Sequence, residues 1–385
     1  MCGTEKTTVN APGQTIDHLV IGGGPAGSMV AIRLAFAGCD VMLLEKERTA
    51  HHKVCGEFLS GEAVEYLNLA GVNPLDLGAA TIRSIRLCSK HGIAEAVLPF
   101  TALSLSRVAL DAAMIARAAE SGGRVRLGAL VERLTRRDAD WLVELQNGEL
   151  LSARTVFLAN GKHDLRGWER GRGVQGNLIG FKMHWQLKPL QIEALRGSLE
   201  MFLFPSGYGA LSLVEGDAAN LCLVVGRSEL RSIGGWTELL ANLLDDNQQL
   251  RQRLRGAKTL WERPLAISPI PYGYLVEGGS GLWRVGDQAA VIPSFTGDGM
   301  SIALHSGTLA AEMFLAGAGE EEFHRKLHKQ LKSGMSLATL ISRAMVTGAG
   351  RTLMPLSLSL YPNAMRWIAA STRIPEQALL AKPAG

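Results

Sequence analysis

Gly22, Gly24 and Gly27 stand at the G-x-G-x-x-G spacing, directly after the short strand-like segment of residues 16–21. Glycines in that order make a phosphate cradle. The first permits a tight turn, the second lets backbone approach a pyrophosphate, and the third lets a helix pack closely on a strand. Pro25 and Ala26 lie inside the same turn, and the helix that follows (28–37) offers an anion its free N–H groups and positive dipole end. Glu45, with Lys46 after it, ends the next strand and is spaced to accept hydrogen bonds from both hydroxyls of a ribose. Strand, glycines, helix, strand and acid in that order indicate a dinucleotide site.

A second group of reactive side chains follows in the loop 51–60. Cys55 lies between Lys53 and Gly56. It reads either as a thiol activated by a nearby cation and able to give a proton, or as a small apolar residue filling a gap. His51 and His52 read as solvated loop residues or as an acid/base. Arg107 and Asp111 open an alanine-rich helix at i,i+4 spacing, the geometry of a helix-surface ion pair. Gly286-Asp287 ends a short strand, and Pro293, Gly297, Asp298, Gly299 and Met300 lead into an apolar helix.

The elements that must position these residues alternate along the chain. A βαβ unit fills 16–50. A strand region follows at 81–99, then the Arg107 helix, a strand at 125–127 and a hairpin over 131–145. A buried strand at 155–159 precedes an antiparallel region from about 175 to 275. Residues 236–254 read as one helix. The fold class is α/β: a Rossmann-type domain from 16–80, 101–165 and 281–320, an antiparallel β-sheet substrate domain from 81–100 and 166–280, and a helical segment over 321–385. The 385 residues suffice for two cores, and 47% hydrophobic with 20% charged residues is a globular balance. A net charge of +4, with no basic run interleaved with aromatics, argues against nucleic acid. Cys2, Cys39, Cys55, Cys88 and Cys222 form no C-x-x-C pair, and no histidine cluster has metal spacing, so no metal site is expected and a reducing cytoplasm suits the chain. The first 15 residues read as a loose arm, and no segment is apolar enough to span a bilayer.

Taken together, Gly22 to Gly27 with Glu45, the Lys53-Val-Cys-Gly-Glu57 loop, Arg107/Asp111, and Gly286-Asp287 with Pro293 to Gly299 resemble one flavoprotein family. It holds the group A aromatic hydroxylases, the flavin-dependent halogenases and the geranylgeranyl reductases, and the resemblance covers about 16–315. It implies non-covalent FAD in a fold like that of para-hydroxybenzoate hydroxylase. Asp287 would accept a ribityl hydroxyl, and Pro293 would break the backbone beside the ring. Gly297 and Gly299 would start a helix facing the flavin N1–C2=O edge, with Asp298 and Met300 in the same segment. Arg107 would contact the FAD phosphates or adenine. The loop carrying Lys53, Cys55 and Gly56 would lie near the isoalloxazine and looks most like the reductase branch. Tyr208, in Phe-Pro-Ser-Gly-Tyr, is similar to a Pro-x-x-Tyr element that those reductases carry over the substrate. The aromatic element that follows it there is missing here.

The leading expectation is therefore a monooxygenase that hydroxylates or epoxidises a hydrophobic aromatic, polyketide or isoprenoid-type substrate through a flavin C4a-peroxide. A C=C reductase of the geranylgeranyl type, with Cys55 as proton donor, follows closely. A non-enzymatic electron carrier is the third reading, and halogenation is disfavoured because the halogenase tryptophan element and lysine have no counterpart. NAD(P)H would visit transiently, since no second glycine fingerprint occurs. The C-terminal helices would cover the pocket or rest on a membrane surface, and the chain would be a monomer or homodimer.

Overall fold

In the first sheet, alternate residues of Ile16–Ile21 and its neighbours are apolar on both faces, which suits strands covered on two sides. The computed structural model describes residues 15–89, 92–349 and 362–379. Cys2 and most of the N-terminal arm lie outside these residues, as do Arg351, Leu353, Leu356 and Leu360 of the C-terminal segment.

Ile16–Ile21 lies at the centre of the sheet, parallel to Val41–Glu45 on one side and to Leu150–Leu158 on the other. Arg124–Leu127 extends it at one edge. Trp283–Arg284 adds in parallel to Leu150–Leu158, and the hairpin Val131–Arg137/Asp140–Leu145 completes it. Helices Pro25–Phe36, Arg107–Glu120 and Gly299–Leu315 pack together on one face. Val20, Leu43, Phe157 and Leu304 are wholly buried there, and each such side chain contributes about 1.5–3 kcal/mol.

The second sheet has nine strands. Leu178–Gln186, Ala218–Gly226, Gly207–Leu213 and Gly197–Phe204 run antiparallel in that order. Gly197–Phe204 then pairs in parallel with Ala80–Ser89, so the sheet is mixed at that one join. Two boundaries differ from the sequence reading. Position 100 falls inside the Gly92–Ser104 strand, and Phe58–Leu59 pairs with that strand rather than with the first sheet. Residues 236–254 form two helices, Trp236–Asp246 and Gln248–Leu254. The break is at Asn247, whose side chain leaves helical register to accept the Leu250 N–H at 2.9 Å.

Helices Glu320–Met345 and Pro362–Ser371 close the described chain, the second against Gly92–Ser104. Among the described residues no helix is long and apolar enough to cross a membrane.

Candidate active site

The strand Ile16–Ile21 runs into a turn that only glycine can make. Gly22 has φ +112°, and a Cβ there would lie 2.4 Å from the Ala159 carbonyl oxygen. Gly27 sits where helix meets strand, and its Cβ would lie 2.0 Å from the Gly22 oxygen. The helix Pro25–Phe36 receives no side-chain cap from Gly24, so its first N–H groups face the cavity without a protein acceptor. Glu45 braces this turn. Its Oε2 accepts the Gly23 N–H at 2.8 Å and its Oε1 the Glu47 N–H at 3.1 Å. Gly22, Gly24, Pro25, Ala26, Glu45 and Lys46 all line one cavity of about 460 Å³, a size suited to a bound small molecule.

The far wall comes from residues more than 200 positions later. Gly286, Asp287, Gly297, Gly299 and Met300 line the same cavity. A second helix, Gly299–Leu315, also starts there without a side-chain cap. Asp287 pairs with Lys162 Nζ at 3.2 Å, and its carbonyl accepts Arg170 Nη1 at 3.1 Å. Burial works against the Lys162 ammonium, but Asp287 outweighs it and holds that lysine above its ordinary pKa. Two residues expected here do not face the cavity. Pro293 offers its carbonyl to the Thr296 hydroxyl at 3.1 Å. Asp298 turns away, toward Arg373 Nη1 at 3.2 Å and the Thr372 hydroxyl at 3.3 Å. Full burial lifts the Asp298 carboxyl to about 7 despite that arginine.

Cys55 and Gly56 form the wall between these two ends. Lys53, read as the cation beside the thiol, is instead held at 2.9 Å by Asp111 Oδ2. Arg107 takes its place: it grips Asp111 through Nε and Nη2 at 2.8 and 2.9 Å and also faces the Cys55 sulfur. Burial opposes the charge on Asp111, yet Arg107 and Lys53 hold its carboxyl below the usual range. Arg107 Nη2 also lies 3.3 Å from where a Gly24 Cβ would stand, so it borders the phosphate cradle as well.

These features fit a dinucleotide bearing a flavin: two uncapped helix ends, a turn with no room for side chains, and a rim of Lys46, Lys53, Arg107 and Lys162. Residues 15–137 match the FAD binding domain family. Digeranylgeranylglycerophospholipid reductase 2 of Methanopyrus kandleri is 28% identical over 319 residues, 80% of this chain and 78% of that protein. Menaquinone reductase of Mycobacterium tuberculosis is 25% identical over 321 residues, 77% and 76% of the two chains. The protein is an FAD-dependent oxidoreductase. A flavoprotein/dehydrogenase from Cytophaga hutchinsonii shares the fold with a TM-score of 0.76 at 19% identity, covering 93% of this chain and 92% of that one. A flavin-dependent brominase does so with a TM-score of 0.75 at 17% identity, covering 96% of each.

In this oxidoreductase a smaller cavity adjoins the first. Gly56, Phe58, Cys222, Ser294 and Gly297 line both. Its other walls are mainly apolar, among them Leu87, Leu98, Leu199, Met201 and Leu203 from the second sheet, and Ile341, Met345 and Ile368 from the C-terminal helices. Tyr208 is buried here, with its ring edge-on to Phe295 and its oxygen accepting the Ser294 hydroxyl at 3.4 Å. Burial pushes its phenol up, so it acts as a neutral hydroxyl.

The sequence reading gave no role to Glu57, Lys182 or His184. Glu57 is wholly buried; its Oε1 pairs with Lys182 Nζ, and its Oε2 accepts His184 Nε2–H at 2.7 Å. Burial opposes the Glu57 charge, but His184 and Lys182 hold the carboxyl below its ordinary pKa. His52 packs edge-on against His184, and burial, Lys182 and His184 lower its pKa to about 4. Ligand atoms of His52, Glu57 and His184 lie within 4.8 Å of one another. The Lys182 ammonium on the same carboxylate already supplies the counter-charge and disfavours a divalent cation. The only sequence signal was a lysine and a histidine two apart in the mainly apolar strand Leu178–Gln186.

Proposed function

We propose that the protein is a flavin-dependent reductase that saturates a C=C bond in a lipophilic, isoprenoid-type molecule, with Cys55 giving the proton. The observation that carries this reading is the junction of the two cavities at Gly56, which lines both, directly beside Cys55 in the wall of the cofactor cavity. Oxygenation led on sequence grounds. The reductase reading gains from the two curated relatives above, both of which carry reductase names.

Bound FAD, once reduced by NAD(P)H, supplies a hydride. The chain's own residues do the rest. The apolar walls take the hydrocarbon chain and exclude water. Cys55 Sγ–H gives its proton to the second alkene carbon, so a C–H bond forms as the S–H bond breaks. The thiolate left behind faces the Arg107 guanidinium until water returns a proton. Tyr208 and Ser294 offer a hydrogen-bonded hydroxyl pair along that wall, and orient a polar group of the substrate. The exposed Trp367, on the helix whose Ile368 lines the cavity, supports uptake of the substrate from a membrane surface.

The test uses the FAD-loaded protein, reduced with dithionite without oxygen and mixed with menaquinone or a geranylgeranyl lipid. Flavin reoxidation with a product whose isoprenoid chain stays two hydrogens heavier after exposure to air supports the reductase, and Cys55→Ala then slows it by about 10²–10⁴. Reoxidation that waits for oxygen, with an oxygen atom in the product, establishes the monooxygenase instead.

A further inference from the structure

Glu57 ties the Cys55 loop to the start of the Arg107 helix and to the strand Leu178–Gln186. Its backbone is left-handed, at φ +59°, a conformation that a non-glycine residue holds only when its surroundings fix it. The fixing contacts are all present. Its N–H points at Cys55 Sγ at 3.3 Å, and its carbonyl accepts the Leu105 N–H at 3.1 Å. Oε1 accepts the Arg107 N–H at 2.8 Å and pairs with Lys182, while Oε2 takes His184. From the strand beside Lys182 and His184, Asn220 Nδ2 donates to the Cys55 carbonyl at 3.2 Å. The carboxylate is too well solvated by these donors to pass protons.

We propose that Glu57, held by Lys182 and His184, is a positioning residue that fixes the Cys55 sulfur between its own N–H and the Arg107 guanidinium, facing the cofactor cavity. This rests on the reading of Cys55 as proton donor. The second sheet thereby determines the aim of a thiol in the first domain. The arrangement also accounts for a buried charge that the chemistry itself does not use.

The experiment compares variants of the FAD-loaded protein that leave no buried charge unpaired. Glu57→Gly with Lys182→Met removes both charges and relieves the left-handed backbone. His184→Leu removes one tie and keeps the ion pair. Alkylation of Cys55 by iodoacetamide is followed by peptide mass, alongside FAD absorbance and melting temperature. The sulfur loses the donors that support its thiolate, so alkylation slows by about tenfold in the double variant and about threefold in His184→Leu. In the reductase assay kcat falls by about tenfold in the double variant, with KM within about twofold.

Mere loosening of the loop would have the opposite sign, since it exposes the thiol and speeds alkylation. Unchanged or faster alkylation in both variants overturns the proposal. If the double variant loses FAD, His184→Leu decides alone. Slower alkylation in a protein that reduces no alkene leaves Glu57 as positioning residue and overturns the reductase reading.

Discussion

At the Gly22–Gly27 end of the cavity the protein presents backbone: a turn, a helix end and one bracing carboxylate from the adjacent strand. At the Cys55 end it presents side chains gathered from the loop, the Arg107 helix and two strands of the other sheet. The first arrangement is local, confined to about 30 residues, and each position admits few alternatives. The second spans about 170 residues, and its members are ordinary charged residues that pair by type. A cofactor shared by many chemistries suits the first construction. The second is where one chemistry is selected, because a substitution on any of several elements alters it.

Gly27→Val tests the local end most severely. Its side chain would meet backbone oxygen far inside van der Waals contact, at a cost of at least about 3 kcal/mol. The expected result is a colourless, aggregating protein, and a yellow protein of normal melting temperature would show that the turn yields. Asp298→Asn sharpens the contrast, because Asp298 follows the cradle in sequence but belongs to a side-chain cluster in space. Its folded pKa is raised from 3.8 to about 7. The stability it contributes is therefore full below about pH 4 and lost as pH rises through 7. Relative to the wild type, the asparagine variant gains about 1–4 kcal/mol between pH 4 and pH 8, read from melting temperatures. An equal pH dependence in both proteins would remove Asp298 as the cause. Tyr208→Phe is the mildest change. It removes the long contact to Ser294, which keeps Tyr272 as donor at 2.8 Å. A loss of about 0.5–1 kcal/mol is expected, with any larger effect confined to substrate KM.

The same contrast explains what was legible in the sequence. Gly22, Gly24, Gly27 and Glu45 could be read because backbone geometry restricts which residues fit, and the restriction recurs at fixed spacing. Gly286, Asp287, Gly297 and Gly299 were readable only through the family resemblance, and the structure brings them to the same cavity. Lys53 lines the cavity, but its pairing with the buried Asp111 was not legible, because sequence adjacency to Cys55 says nothing of where a flexible ammonium settles. Asp298 was misjudged because Arg373, 75 positions away, claims it. Lys182 and His184 left only a faint trace, since two polar residues in a buried strand show that a partner exists without saying which. The parallel join of Gly197–Phe204 to Ala80–Ser89 was likewise invisible, because alternation of apolar residues carries no strand direction.

The strand Trp283–Arg284 pairs with Leu150–Leu158, and Gly307 of the late helix packs its Cα against the Ala26 carbonyl of the first helix. The opening motif therefore cannot reach its final environment until residues 283–307 have left the ribosome. Through most of synthesis the nascent chain must carry an unfinished, apolar half-domain, with the whole second sheet threaded between its two parts. Closure of so long a loop is slow, and it exposes the growing chain to misassociation. FAD supplied during translation would find its cradle complete only at the end.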